Sequence, residues 1–155
     1  MEKPLGTGAV TVCIALTFLV FHFVLRPSMF SMGEYSTSVA NALAHYAVPL
    51  MAIADWLAFD PKGQMKKLDP VKWLLIPAAY LAFALVRAQF GIYAGSDSRY
   101  PYFFIDIDQY GGPQVVVNCL AIAAAYTLLG YAVYALDWTM SVLARNLRSK
   151  DRLAG

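Results

Sequence analysis

The chain has 155 residues, of which 59% are apolar or aromatic and 14% are charged, with a formal net charge of +2. An average soluble domain has about 25% charged residues, so this composition indicates an integral membrane protein and excludes an ordinary soluble one. The small net charge does not indicate nucleic-acid binding. The two cysteines, Cys13 and Cys119, lie in apolar runs and form no disulfide framework.

Four apolar stretches are long enough to cross a bilayer as helices, which takes about 20 residues each. In chain order they span about 8–25, 39–59, 71–90 and 114–138. The first has no cleavage site after it and is predicted to be a retained anchor. A polar turn at 60–70 and a link at 95–113 separate later stretches, and a polar tail occupies 143–155. The sequence therefore predicts one integral membrane domain over 1–155, an all-α polytopic bundle with about four transmembrane helices.

Basic residues are divided unevenly between the two sides of the membrane that four crossings define. The side with both termini and the 60–70 turn has nine: Lys3, Lys62, Lys66, Lys67, Lys72, Arg145, Arg148, Lys150 and Arg152. The other side has Arg26, Arg87 and Arg99. The positive-inside rule therefore predicts a cell-membrane protein with both termini in the cytoplasm. The three tryptophans are predicted to form an aromatic belt at the cytoplasmic ends of their helices.

Polar side chains recur at a similar depth near the predicted outer ends of the helices. The candidate site residues among them are Asn41, His45, Arg87 and Asn118, and His22 lies at the same depth. Asn41 and His45 are four residues apart and share a helix face. Pro49 cannot donate to the carbonyl of residue 45, which is expected to open the helix beside the imidazole. Polar groups at such depth often mark function, although hydrogen bonding between helices or interfacial placement also explains them.

Two aspartates lie at the predicted cytoplasmic boundary, each directly before a tryptophan. Asp55 and Asp137 are expected to form ion pairs or to anchor helix ends there. The lysines within reach are Lys62, Lys66 and Lys72.

The link at 95–113 combines aromatic and acidic residues and is expected to lie over the bundle. Asp106 or Asp108 is expected to pair with Arg87 or Arg99. Two carboxylates at this spacing are only a weak signal for a cation site.

Three stretches resemble a known family: HYAVPLMAIADWLAFDPKG, PAAYLAFALVRAQFGIY and YPYFFIDIDQYGGPQVVVN. They are similar, in the same order, to prokaryotic six-helix membrane proteins of unassigned function, which look like distant relatives of the androgen-induced and FAR-type membrane proteins. The resemblance implies a threonine hydrolase that cleaves esters of hydroxylated fatty acids, with His45 as the counterpart of the family histidine. The family's threonine motif and its first two helices have no counterpart in this sequence.

The resemblance thus predicts a lipid-ester hydrolase, or a degenerate relative, with His45 as the base and with Arg87 or Asn118 stabilising an oxyanion. One alternative is a non-catalytic scaffold, subunit or transporter component. Another is a haem-binding electron carrier with His22 and His45 as ligands. Membrane lipids are the expected partners, a homo-oligomer is a candidate assembly, and no cofactor or nucleic acid is predicted.

Overall fold

A computed structural model describes residues 6–27, 39–91 and 98–154. All regular secondary structure in these ranges is helical. Four helices are long and apolar enough to cross a membrane: Thr7–Leu25, Val39–Phe59, Asp69–Phe90 and Ile107–Leu147. The predicted all-α membrane bundle is therefore confirmed, and the first three predicted stretches match the observed helices closely.

Helices α1 and α2 are each interrupted by a wide turn near the same end of the pair. Helix α1 runs over Gly6–Val20 and continues as a π turn, Phe21–Leu25. Helix α2 begins at Val39–Ala42, passes through a π turn, Leu43–Ala47, and ends with Val48–Phe59. The two helices pack against each other along their length.

Helix α3 is broken once, at Leu74, between Asp69–Trp73 and Leu75–Arg87. Pro77 explains this break, because proline has no N–H to donate to the carbonyl of Trp73, four residues earlier. The helix ends in a 3₁₀ turn, Ala88–Phe90, followed by Gly91 at a φ of 117°.

Helix α4 spans Ile107–Ala154, and is therefore longer at both ends than the predicted 114–138. Gly111 has a φ of 75°, so one short turn precedes the kink and the main helix follows it, with Pro113 in its first turn. The predicted polar tail at 143–155 is helical as far as Ala154. Its Arg, Lys, Leu and Ala residues favour helix, and a charged helix needs no apolar surroundings to continue.

The chain divides into two compact units, Met1–Asp69 with Leu129–Gly155, and Pro70–Leu128. In the first unit Ala9, Val12 and Trp56 are among the buried residues. In the second unit a core forms from Ala84 and Ala88 of α3, Tyr100 and Ile105 of the link, and Val115 of α4. The link is thereby packed against both of its flanking helices.

The turn at 60–68 lies against one turn of α4, and we call this segment the docked turn. The main-chain N–H of Met65 donates to Oδ2 of Asp137 at 3.2 Å. Gly63 lies so close to α4 that a Cβ built on it would be 2.7 Å from Cβ of Ser141. Asp137 and Ser141 are both buried, at 1% and 8% exposure. The backbone of the docked turn is therefore in direct contact with the side chains of Asp137 and Ser141.

Lys62, one of the three lysines expected within reach of Asp55 and Asp137, has other partners. Lys62 donates to the carbonyl oxygens of Trp56 and Asp60, and its ammonium lies 4.6 Å from the centre of the Trp56 ring. The last carbonyls of a helix lack partners within the helix and attract a cation, so Lys62 caps α2. Asp55 is exposed, and among the described residues neither aspartate forms an ion pair.

The aromatic belt is only partly as predicted. Trp138 is 55% exposed, as an interfacial side chain would be, whereas Trp56 and Trp73 are 4% exposed and belong to the protein interior.

The link ends in a dense set of polar contacts that start α4. Arg99 forms a bidentate pair with Asp108, with both N–O distances at 2.6 Å, which confirms the predicted pairing. The hydrogen bonds and charge of Asp108 raise the pKa of the Arg99 guanidinium. Asp106 accepts hydrogen bonds from the amides of Asp108 and Gln109 at 3.0 Å and from the hydroxyl of Ser98 at 2.6 Å.

Asp106 is thus the N-cap of α4. Replacing it with alanine is expected to lower the free energy of unfolding by about 0.5–2 kcal/mol, because two helix amides lose their acceptor. Asp106→Asn keeps a capping oxygen and should recover most of this loss. Thermal melting of the purified protein in detergent measures both variants, and equal melting temperatures for all three proteins would contradict the cap.

Candidate functional site

Two π turns lie opposite each other in the α1–α2 pair. The N–H of Arg26 donates to the carbonyl of Phe21, and the N–H of Val48 donates to the carbonyl of Leu43, five residues earlier in each case. Each π turn ends two residues before a proline, Pro27 in α1 and Pro49 in α2. A proline ring clashes with the carbonyl four residues before it, and a widened turn relieves this clash. The expected opening at Pro49 takes this form, and π turns in helices are frequent at functional sites.

Each π turn carries one of the two histidines of the chain, and both rings join a group of aromatic side chains. We call Phe18, Phe21, His22, His45 and Tyr46 the aromatic cluster. The rings of Phe21 and His45 stack with centres 3.9 Å apart and planes at 17°. Those of Phe18 and His22 stack at 5.9 Å and 16°. Aromatic stacking therefore holds each imidazole against α1.

His45 has a defined tautomer. Its Nδ1 lies 3.1 Å from the main-chain oxygen of Asn41. A carbonyl oxygen only accepts hydrogen bonds, so Nδ1 carries the hydrogen, and in the neutral ring Nε2 carries the lone pair. The ring is half-buried. Asn41 was predicted as a site residue for its side chain, but here it orients the imidazole through its backbone.

His22 is connected to α2 by a hydrogen bond. Its Nδ1 lies 3.2 Å from the hydroxyl of Tyr46, and the two rings meet edge to face with centres 5.9 Å apart. Tyr46 also contacts Phe18 and Phe21 edge to face, at 5.7 and 5.6 Å. The residue next to His45 in sequence therefore joins the two π turns.

Removing the Tyr46 hydroxyl tests this connection. Tyr46→Phe is expected to destabilise the protein by about 0.5–1.5 kcal/mol, because His22 loses its partner while the ring contacts remain. Tyr134→Phe is the matched control, since its hydroxyl makes no hydrogen bond within the described residues. The difference between the two melting temperatures is the measurement, and a Tyr46 variant as stable as the Tyr134 variant would contradict the connection.

The other two predicted site residues belong to the second unit and make local contacts there. Arg87 donates from Nη1 to the carbonyl of Gly91 at 2.8 Å, across the C-terminus of its own helix. Asn118 donates from Nδ2 to the carbonyl of Phe104 at 2.8 Å and accepts from Gln114 at 3.0 Å. The structure therefore brings His45 and Asn41 together in the first unit, and it gives Arg87 and Asn118 contacts within the second.

Sequence reasoning did not single out Tyr46 or Phe21. The signals that could have found them are Pro27 and Pro49, because a proline favours a widened turn before it, and Phe21 and Tyr46 lie in the five-residue turns that end two residues before these prolines. The histidine and tyrosine of Ala44-His45-Tyr46 are also adjacent in such a turn.

The comparisons with known proteins add no assignment. No protein-family model, no curated protein and no solved structure matches this chain. The candidate site is therefore defined by its own geometry: an oriented imidazole, half-buried, in one of two paired π turns of a membrane helix pair.

Proposed function

We propose that the protein is a lipid-ester hydrolase of the cell membrane, with His45 as the general base. The observation that carries the proposal is the hydrogen bond from Nδ1 of His45 to the carbonyl of Asn41. This bond and the stacking on Phe21 hold the imidazole in the tautomer whose Nε2 accepts a proton. A base held in position in this way contributes to ester hydrolysis when the reacting proton is within hydrogen-bond reach.

Water is the nucleophile in this proposal, in place of the threonine that the family resemblance implies. The hydroxyls of Thr11, Thr17, Thr127 and Thr139 each donate to a carbonyl of their own helix, at 2.8–3.0 Å. His45 instead takes a proton from water at Nε2 while the water oxygen bonds to the ester carbonyl carbon. The tetrahedral intermediate then expels the alcohol oxygen, which takes the proton from the His45 imidazolium, and the carbonyl re-forms as a carboxylic acid.

The placement in the membrane is part of the proposal. Nine basic residues on the side of both termini against three on the other favour cytoplasmic termini. His45 then lies near the outer leaflet boundary, where water and the ester groups of lipids are both present. A lipid carrying a polar ester, such as a fatty-acid ester of a hydroxy fatty acid, suits this depth.

A second candidate function is a non-catalytic membrane subunit or scaffold. It is favoured by the contacts of both imidazoles, since the ring of His22 bonds Tyr46 and the ring of His45 stacks on Phe21. In that case the aromatic cluster joins α1 to α2 and has no catalytic role.

The deciding experiment is an assay of the purified full chain against a panel of lipid esters, including fatty-acid esters of hydroxy fatty acids. The proposal expects hydrolysis by the unmodified protein and a loss of about 10²–10⁴-fold in kcat in His45→Ala. A kcat of His45→Ala within about 10-fold of that of the unmodified protein would overturn the assignment of the base. A folded protein without hydrolysis of any ester in the panel would favour the non-catalytic function.

A further inference from the structure

Three cations are gathered where the docked turn meets α4, at the opposite end of the α1–α2 pair from the aromatic cluster. Lys66 and Lys67 directly follow Met65, whose amide bonds Asp137, and both are exposed. Arg145 is also exposed, and its Nη2 lies 3.4 Å from the hydroxyl oxygen of Ser141. We call Lys66, Lys67 and Arg145 the cationic platform.

The backbone beneath the platform is held at several points. Gly63 is in contact with Ser141, and Met65 is bonded to Asp137. The amide of Lys66 donates to Oδ2 of Asp69 at 2.8 Å. Arg145 and the docked turn thus meet at the same side chain, Ser141. Lys66 lies three residues from Gly63, and hence within about 11 Å of it. The three cations therefore share one surface because the turn is docked, not because they are close in sequence.

Two acidic side chains close to this surface bond main-chain amides. The carboxylate of Asp137 is buried and accepts from a main-chain amide, and that of Asp69 accepts from the amide of Lys66. Lys62, the other cation of the turn, is occupied by carbonyls at the end of α2. Within the described ranges no platform residue forms an ion pair.

The platform is expected at the level of lipid headgroups. Trp138 is 55% exposed on α4, as expected at the membrane boundary. Arg145 is seven residues further along, which places it roughly 10 Å beyond Trp138 along the helix axis. That distance is comparable with the depth of the polar headgroup layer.

We propose that the cationic platform binds the phosphate of an anionic phospholipid headgroup in the leaflet on this side of the membrane. A guanidinium donates two parallel hydrogen bonds to phosphate, and the lysine ammonium groups add point charges beside it. Anionic lipids attract clustered Lys and Arg residues at the membrane surface. This binding is independent of the hydrolysis proposed for His45, because it involves other residues at the other end of the helix pair.

Native mass spectrometry of the detergent-purified full chain tests the proposal. Phosphatidylglycerol is the probe, phosphatidylcholine the lipid control, and inorganic phosphate distinguishes a headgroup from a free anion. We expect phosphatidylglycerol to bind more tightly than phosphatidylcholine, and its affinity to fall about five-fold for each platform cation removed in Lys66→Gln, Lys67→Gln and Arg145→Gln.

Lys150→Gln is the matched control, because residues 145 and 150 point about 140° apart on the helix and should not share the site. The proposal would be overturned by equal affinity for the two phospholipids or by equal losses of affinity in Lys150→Gln and Arg145→Gln. It would also be overturned if inorganic phosphate binds and the phospholipid does not.

A second variant separates the geometry of the platform from its charge. Asp137→Ala removes a negative charge and keeps all three cations, so simple electrostatics predicts tighter phosphatidylglycerol binding. The docked geometry predicts the reverse, because the turn loses its bond to α4. If Asp137→Ala does not fold, Gly63→Ala is used instead. It displaces the docked turn from α4 without changing any charge, and weaker binding is again expected. Unchanged or tighter binding in the folded variant would overturn the role of docking.

Discussion

Replacing His45 with alanine is expected to lower kcat for the proposed ester hydrolysis by about 10²–10⁴-fold, which is the usual contribution of a general base. Hydroxide and bulk water can still attack the ester slowly, so some activity should remain. The substitution also removes the ring that stacks on Phe21 at 3.9 Å and leaves a space beside that side chain. Steady-state kinetics of both proteins, with matched thermal melting, measures the effect on chemistry separately from folding.

Two controls make this prediction specific. His22→Ala removes the other imidazole of the aromatic cluster and its bond to Tyr46, and it should reduce stability more than kcat. Added imidazole should partly restore hydrolysis in His45→Ala by entering the vacated space, but should not affect His22→Ala. Similar losses of kcat in both variants would show that the cluster matters only as structure.

Gly63→Ala is expected to destabilise the protein by about 2–5 kcal/mol, which is the sum of two costs. A left-handed residue other than glycine costs about 1–2 kcal/mol, and Gly63 has a φ of 77°. Forcing an extra methyl group into a packed contact costs about 1–3 kcal/mol, and this methyl would lie 2.7 Å from Cβ of Ser141. Unfolding of the detergent-solubilised protein by a denaturing detergent measures the change.

The two costs can be separated within this chain. Removing the opposing side chain in Gly63→Ala, Ser141→Gly should recover the contact cost and leave the conformational cost. If this double variant is no more stable than Gly63→Ala, the close approach of the docked turn to α4 does not contribute to the loss.

The helices could be predicted from the sequence because their physical cause is local. Each apolar run must satisfy its backbone within a helix when it lies in lipid, and Arg26-Pro27 or the polar turn ends it. The pairing of Arg99 with Asp108 was also within reach, since both lie in one short link. The start of α4 was harder to predict from the sequence, because Gly111, with its positive φ, allows a helical turn on each side of the kink.

The candidate site depended on information that no local pattern contains. The sequence identified His45 and its proline, but the orienting contact comes from the backbone of Asn41, and the neighbouring rings come from another helix. For Asp55 and Asp137 the ion-pair alternative was wrong among the described residues, for a related reason. A helix end offers unpaired carbonyls to any nearby cation, and Lys62 bonds these carbonyls.

The sequence by itself thus determined the membrane character, the four long apolar helices of the described residues and the residue types that stand out within them, because hydrophobic length and proline chemistry act along the chain. Only the tertiary structure decided which of those residues meet. Phe21 against His45, Tyr46 against His22 and Met65 against Asp137 are contacts between segments 24 to 72 residues apart in sequence. Such contacts follow from how the helices and the docked turn pack in space, where the shape and hydrogen-bonding capacity of two distant surfaces must match at once.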